Sequence, residues 1–220
     1  MSRTYGVVTG EVVSVEDPQG EGRVRVRFPW LPGNNQGYWA PVATLMGGGG
    51  RGSWFMPEVG DEVLVAFDQG DVRHPYIVGF LWNGADRPPN AGINASVRRL
   101  RTVSGHVVEF DDNAGQERIL IKTQGGHQIE MKDTPPASIT IQTTGGNQIT
   151  ISDAPPGITI STQGGTLTVN CLQANVNAST LLNVTAPLTV FNGIVQVPTL
   201  VAQAVVGSAY TPAPGNTFGL

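Results

Sequence analysis

The sequence predicts an all-β chain, on three observations. Charged residues are 14% of the 220, where an average soluble domain has about 25%. The 29 glycines and 16 prolines cut the chain into short elements. Within most of those elements apolar residues recur at every second position, the period of a strand with one buried face.

Two domains are expected at this length, and the first spans residues 5–89. It holds nearly all the aromatic bulk, including Trp30, Trp39, Trp54 and Trp82, and so has the material for its own core. Val7 to Val15 reads as a strand, and Asp17-Pro18-Gln19-Gly20 as a turn by its Pro and Gly. Gly22 to Phe28 alternates Val24, Val26 and Phe28 with Arg23, Arg25 and Arg27, apolar inward and basic outward. Gly37 to Leu45, Asp61 to Phe67 and Tyr76 to Trp82 supply further strands. Five or so short strands in one small domain fit a Greek-key barrel of the oligonucleotide/oligosaccharide-binding (OB) type.

Residues 90–100 carry no periodicity after the Pro-Pro pair at 88 and 89 and read as a linker. From 101 to about 190 the sequence repeats. Gly105-His-Val-Val-Glu-Phe, Gly126-His-Gln-Ile-Glu-Met, Gly146-Asn-Gln-Ile-Thr-Ile and Gly165-Thr-Leu-Thr-Val align at steps of 21, 20 and 19 residues. Between them fall Ile119-Leu-Ile, Ser138-Ile-Thr-Ile and Gly157-Ile-Thr-Ile, with Asp-Thr-Pro-Pro at 133 and Asp-Ala-Pro-Pro at 153 as matching turns. Each unit is two strands and two turns, and periods near 20 residues mark stacked architectures in which one unit cannot bury its apolar face alone.

Only one side of each strand is apolar, as in Ile129 and Met131, Ile139 and Ile141, Ile149 and Ile151, or Ile158 and Ile160. A two-stranded ribbon of this kind is marginal in water. Several chains wound about one axis would bury those faces and pair the strand edges. The expected needle is therefore a homotrimeric, intertwined β-prism or β-helix; a single-chain β-helix is the alternative, less suited to a repeat of two strands.

Composition also excludes function classes. The net charge is −4 and the 13 basic residues form no cluster beyond Arg98, Arg99 and Arg101, so nucleic acid is not an expected partner. Residues 154–220 contain no Asp, Glu, Lys or Arg, yet are too rich in Val, Ile, Leu and Thr to read as disordered. The single Cys171 leaves no partner for an intrachain disulfide and is expected as a buried thiol. The first residues do not read as a signal peptide, and no run approaches the ~20 apolar residues of a membrane span. Cytoplasmic synthesis with exit by another route is the expectation.

The barrel segment resembles the baseplate spike proteins of contractile-tailed phages and their relatives, the VgrG spikes of type VI secretion and the spikes of extracellular injection systems. The resemblance lies in Gly22-Arg-Val-Arg-Val-Arg-Phe-Pro-Trp30, Tyr38-Trp-Ala-Pro-Val-Ala43, Trp54-Phe-Met-Pro-Glu-Val-Gly-Asp-Glu-Val-Leu-Val-Ala-Phe67, Gly70-Asp71, His74-Pro-Tyr-Ile-Val-Gly79 and Leu81-Trp-Asn83. It implies a mechanical role, in which a spike assembled in a baseplate is driven outward by sheath contraction and pierces a target envelope. It implies a baseplate hub protein as partner, because a barrel starting near Tyr5 leaves no room for the family's own hub domain. It also implies a separate tip protein of the proline-alanine-alanine-arginine (PAAR) type, because none of the three histidines lies in the last 93 residues to form a metal-binding tip.

No motif points to an enzyme or a cofactor. Gly47-Gly-Gly-Gly-Arg-Gly-Ser53 lacks the Lys of a phosphate loop and opens no helix. Glu58, Asp61 and Glu62 sit in a turn rather than across a cleft. His106 and His127 hold equivalent places in successive repeats, and three copies near an axis could ligate a metal; each follows a turn glycine, where solvation is the simpler expectation.

The uncharged end lowers the cost of entering a lipid headgroup region, since ionised groups are the expensive ones to bury. Residues 191–220 form the tip segment. Pro212 and Pro214 forbid regular ladder pairing there, leaving Val205, Val206, Tyr210 and Phe218 as an apolar end for a partner to cap. The rival from another class is an OB-type nucleic-acid or carbohydrate-binding protein on an oligomerising stalk.

Overall fold

The computed structural model describes residues 3–33, 36–89 and 94–207. Its regular structure is strand throughout, except for one 3-10 turn at Asp68–Gly70. The chain divides into two units, Met1–Leu167 and Thr168–Leu220.

The first seven strands are β1 (Val7–Ser14), β2 (Arg23–Arg27), β3 (Tyr38–Pro41), β4 (Gly47–Gly48), β5 (Arg51–Gly52), β6 (Glu62–Phe67) and β7 (Pro75–Leu81). Five of them form a sheet in the order β3-β2-β1-β6-β7. A parallel bridge between Val42 and Ile77 closes it, which gives the strand neighbours of an OB barrel. Val12, Val24, Val26, Phe28, Ala40, Val63, Val65 and Ile77 fill the interior, with Phe67 packed edge-on to Phe28 at 5.2 Å between ring centroids. The inward and outward residues of β2 fall as the alternation predicts.

The expected strand from Gly37 to Leu45 stops at Pro41. After the bridge at Val42 and the Ala43 N–H bond to Ile77, the chain leaves the barrel in a long loop on which Leu45 is 97% exposed. The glycine-rich run in that loop is a small hairpin, with Gly47 paired to Gly52 and Gly48 to Arg51.

The second sheet is built from β8 (Val97–Arg101), β9 (Val107–Asp111), β10 (Arg118–Lys122), β11 (Gln128–Lys132), β12 (Ser138–Gln142), β13 (Gln148–Asp153) and β14 (Pro156–Ser161). All seven pair antiparallel in chain order. β8 begins inside the segment read as linker and ends one residue past it: its Arg-rich sequence hides a strand that pairs with β9, Arg99 opposite Glu109 and Leu100 opposite Val108. Within the chain each strand of the ladder returns beside its predecessor. Tight turns with glycine in the left-handed region drive that return, Gly105 at φ +94°, Gly126 at +93° and Gly146 at +85°. Residues 162–207 form no strand, and the expected strand at 165–169 is absent from the sheet.

Candidate subunit interface

The register of the second sheet sorts its side chains into two unlike faces. On one face Leu100, Val108, Ile121, Ile129, Ile141, Ile149 and Ile160 stand opposite one another from strand to strand. Beside them runs a second row of Phe110, Ile119, Met131, Ile139, Ile151 and Ile158, headed by Arg98 on β8. At about 4.8 Å per strand these rows extend for roughly 29 Å.

The opposite face begins charged and ends neutral. Glu109 is almost wholly buried, held between the guanidinium groups of Arg99 and Arg118, and Arg118 reaches on to Glu130 at 3.2 Å. Asp111 beside them takes the backbone N–H of Asn113 at 3.1 Å. That bond, with the Asn113 side chain and then Arg118, holds its carboxyl below the usual carboxylate range against the opposing effect of burial. From β12 onward the ladder offers only Ser, Thr, Gln and Gly on this side, and Asp153 falls on the isoleucine side by its alternation with Ile149 and Ile151.

Burial is inverted relative to a soluble sheet. Ile129, Ile141 and Ile149 are 38%, 46% and 40% exposed, whereas Glu130, Thr140 and Thr150 on the polar face are half-buried. A contiguous apolar strip of this extent marks an interaction face rather than a solvent surface. Its two rows follow from residues that alternate with period two, so the face was legible in the sequence.

The turns at one edge of this sheet are linked by a feature the sequence analysis missed. His106 Nδ1 accepts the backbone N–H of Gln124 at 3.2 Å, His127 Nδ1 that of Thr144 at 3.3 Å, and Asn147 Oδ1 that of Gln163 at 3.3 Å. Behind each, Thr102, Thr123 or Thr143 accepts the N–H of that same His or Asn on its hydroxyl. The Thr-X-X-Gly-His/Asn spacing was the available signal. Both histidines are exposed, and among the described residues no group of three His, Cys, Asp or Glu is placed to hold a metal.

In the candidate acidic turn, Asp61 Oδ2 accepts the Glu58 N–H at 2.8 Å and Glu62 accepts the Asn83 amide at 3.1 Å. Both carboxylates therefore hold local structure. Cys171 is exposed, contrary to expectation, because residues 162–207 gain almost no burial within this chain. Val205 and Val206 are 67% and 99% exposed; Tyr210 and Phe218 lie outside the described residues.

Residues 8–82 match the family model of the type VI secretion system/phage-baseplate injector OB domain. Residues 118–182 match the phage baseplate V C-terminal trimerisation domain, which starts at β10 and runs past the end of the sheet. The chain belongs to the baseplate spike family. Among its relatives is the type VI secretion system spike protein VgrG3 of Vibrio cholerae, 34% identical over 130 residues, 51% of this chain and 13% of the relative. VgrG1b of Pseudomonas aeruginosa is 28% identical over 139 residues, 54% of this chain and 19% of the relative. The actin cross-linking toxin VgrG1 of V. cholerae is 32% identical over 130 residues, 12% of its own length. This member of the spike family thus spans about one-eighth to one-fifth of the curated relatives it matches.

Proposed function

We propose that this chain is the central spike of a contractile injection baseplate and works mechanically, without catalysis, as a homotrimer. The observation that carries the reading is the inverted sheet. Three copies turning their isoleucine rows toward one axis would bury the strip that each leaves open, while the charged and Thr-rich faces point outward. Beyond Ser161 the uncharged segment has apolar side chains at high exposure and no strand of its own. Backbone amides and carbonyls need partners when buried, and two further copies wound with this segment supply them. The barrel joins a hub protein, and the far end carries a PAAR-type tip.

Light scattering at micromolar concentration tests the trimer: three times 23.2 kDa is expected, and a monodisperse monomer overturns it. Ile141→Glu, placing a carboxylate in the strip, should return the protein to monomer. Deletion of residues 207–220 should leave the trimer whole and abolish binding of a tip protein encoded nearby; unchanged binding rejects the capping role. The same injection role has the uncharged end making transient contact with the target membrane, delivered outside the cell on contraction.

A further inference from the structure

The outer face of β2 and β3 carries one cation that the chain does not neutralise. Arg23 is bound by Asp17, with Nη2 to Oδ1 at 2.8 Å, and Arg27 by Glu11 at 2.6 Å. Arg25 stands between them on the same strand and, among the described residues, has no carboxylate within ion-pair distance. Its guanidinium lies instead over the ring of Trp39, the residue opposite it in the ladder, at 4.8 Å from the centroid. Arg23 leans on the same ring at 5.8 Å. Only the Nε of Arg25 is both shut off from water and without an acceptor, so the Nη edge is what it presents outward.

A guanidinium held over an indole ring is restrained before any partner arrives, and its free edge matches the two oxygens of a carboxylate. The β2–β3 face is also where OB barrels receive ligands. The neighbouring charges decide which ligand fits. Asp17 and Glu11 flank the free cation, and a polyanionic strand crossing this face would meet both; phosphate recognition needs several uncompensated cations in a row. One free cation between two neutralised ones suits a single carboxylate.

We infer that the Arg25–Trp39 pair is a docking point for an Asp or Glu side chain presented by a partner protein. The inference does not depend on the spike role.

Saturation-transfer NMR with the full chain and acetyl-Gly-Glu-Gly-amide as probe tests it. Transfer to the Glu peptide is expected, weakened in about 0.5 M salt, with little transfer to the Gln counterpart. Arg25→Gln should lower it about fivefold, the scale of one accessible ion pair, with Arg25→Lys in between because it keeps the charge and loses the flat edge. Unchanged tryptophan emission checks that the variants fold. Equal transfer to the Gln peptide, or transfer indifferent to Arg25, overturns the proposal. So does oligothymidine binding that depends on Arg25 and exceeds that of the Glu peptide, which would make the ligand a nucleic acid. If Arg25→Gln dissolves the oligomer in light scattering, the carboxylate belongs to a second copy and the docking point is lost.

Discussion

His127 Nδ1 accepts the backbone N–H of Thr144 at 3.3 Å, tying one turn of the second sheet to the turn one repeat later. Asn147 does the same to Gln163 in the next repeat, so the position needs an acceptor rather than an imidazole. His127→Asn should therefore keep the melting temperature near that of the parent. His127→Ala should lose about 1 kcal/mol, the net worth of one hydrogen bond, read from urea unfolding of the assembled protein.

Glu109 is the buried centre of the charged face, and removing it takes from Arg99 the one carboxylate it meets among the described residues, while Arg118 keeps Glu130. Breaking a buried pair from one side costs about 3–5 kcal/mol. Both arginines keep some solvent contact, so Glu109→Ala should fall near the lower end in denaturant titration. A loss under about 1 kcal/mol would mean the group is solvated as at an ordinary surface pair.

Acid should weaken the barrel through Asp17. The Arg23 guanidinium, bonded to its carboxylate, holds that carboxyl well below the usual range, and the N–H groups of Gln19, Arg23 and Glu21 add to this against desolvation. A depressed carboxylate pKa stabilises the fold fully above its unfolded value, about 3.9, and the contribution is lost as pH falls from there through the folded value. Tryptophan emission during urea unfolding at stepped pH should show the loss below about pH 4. In Asp17→Asn that part of the pH dependence should be missing; an unaltered profile would assign it elsewhere, with the Asp71–Arg73 pair next in line.

Gly10 lets the interior side chains of Val26 and Phe28 pack close against the backbone of β1. A Cβ built there would stand 2.4 Å from Val26 Cγ1 and 3.1 Å from Phe28 Cε1, and Val26 is fully buried. Gly10→Ala should cost about 1–3 kcal/mol, as overpacking does, measured by thermal unfolding of the barrel.

Much of this was legible because period two is a local property. The inward set Val24, Val26 and Phe28, and the rows headed by Val108 and Phe110, follow from alternation alone. What stayed hidden depends on partners. Residues 97–100 read as linker because the arginines of Val97–Arg101 mask a strand whose charge is answered by Glu109 and Asp112 on the far side of a turn. The sheet's pairing within one chain could not be chosen over pairing between chains, since alternation fixes a face and leaves the neighbour open. Cys171 looked like a core thiol because its apolar surroundings are real, but the burial they call for is not within this chain. The histidines' role was missed because a ligand count was sought where a hydrogen-bond acceptor was in use.

Strands stacked in chain order respond differently to the two directions of force along the apolar rows. A push drives each strand onto the next and shortens the ladder bonds, so the load meets steric contact over the whole width of the sheet. A pull opens the hairpins one after another, with only five or six residue pairs resisting at each. The sheet is thus a strut in compression and a zip in tension.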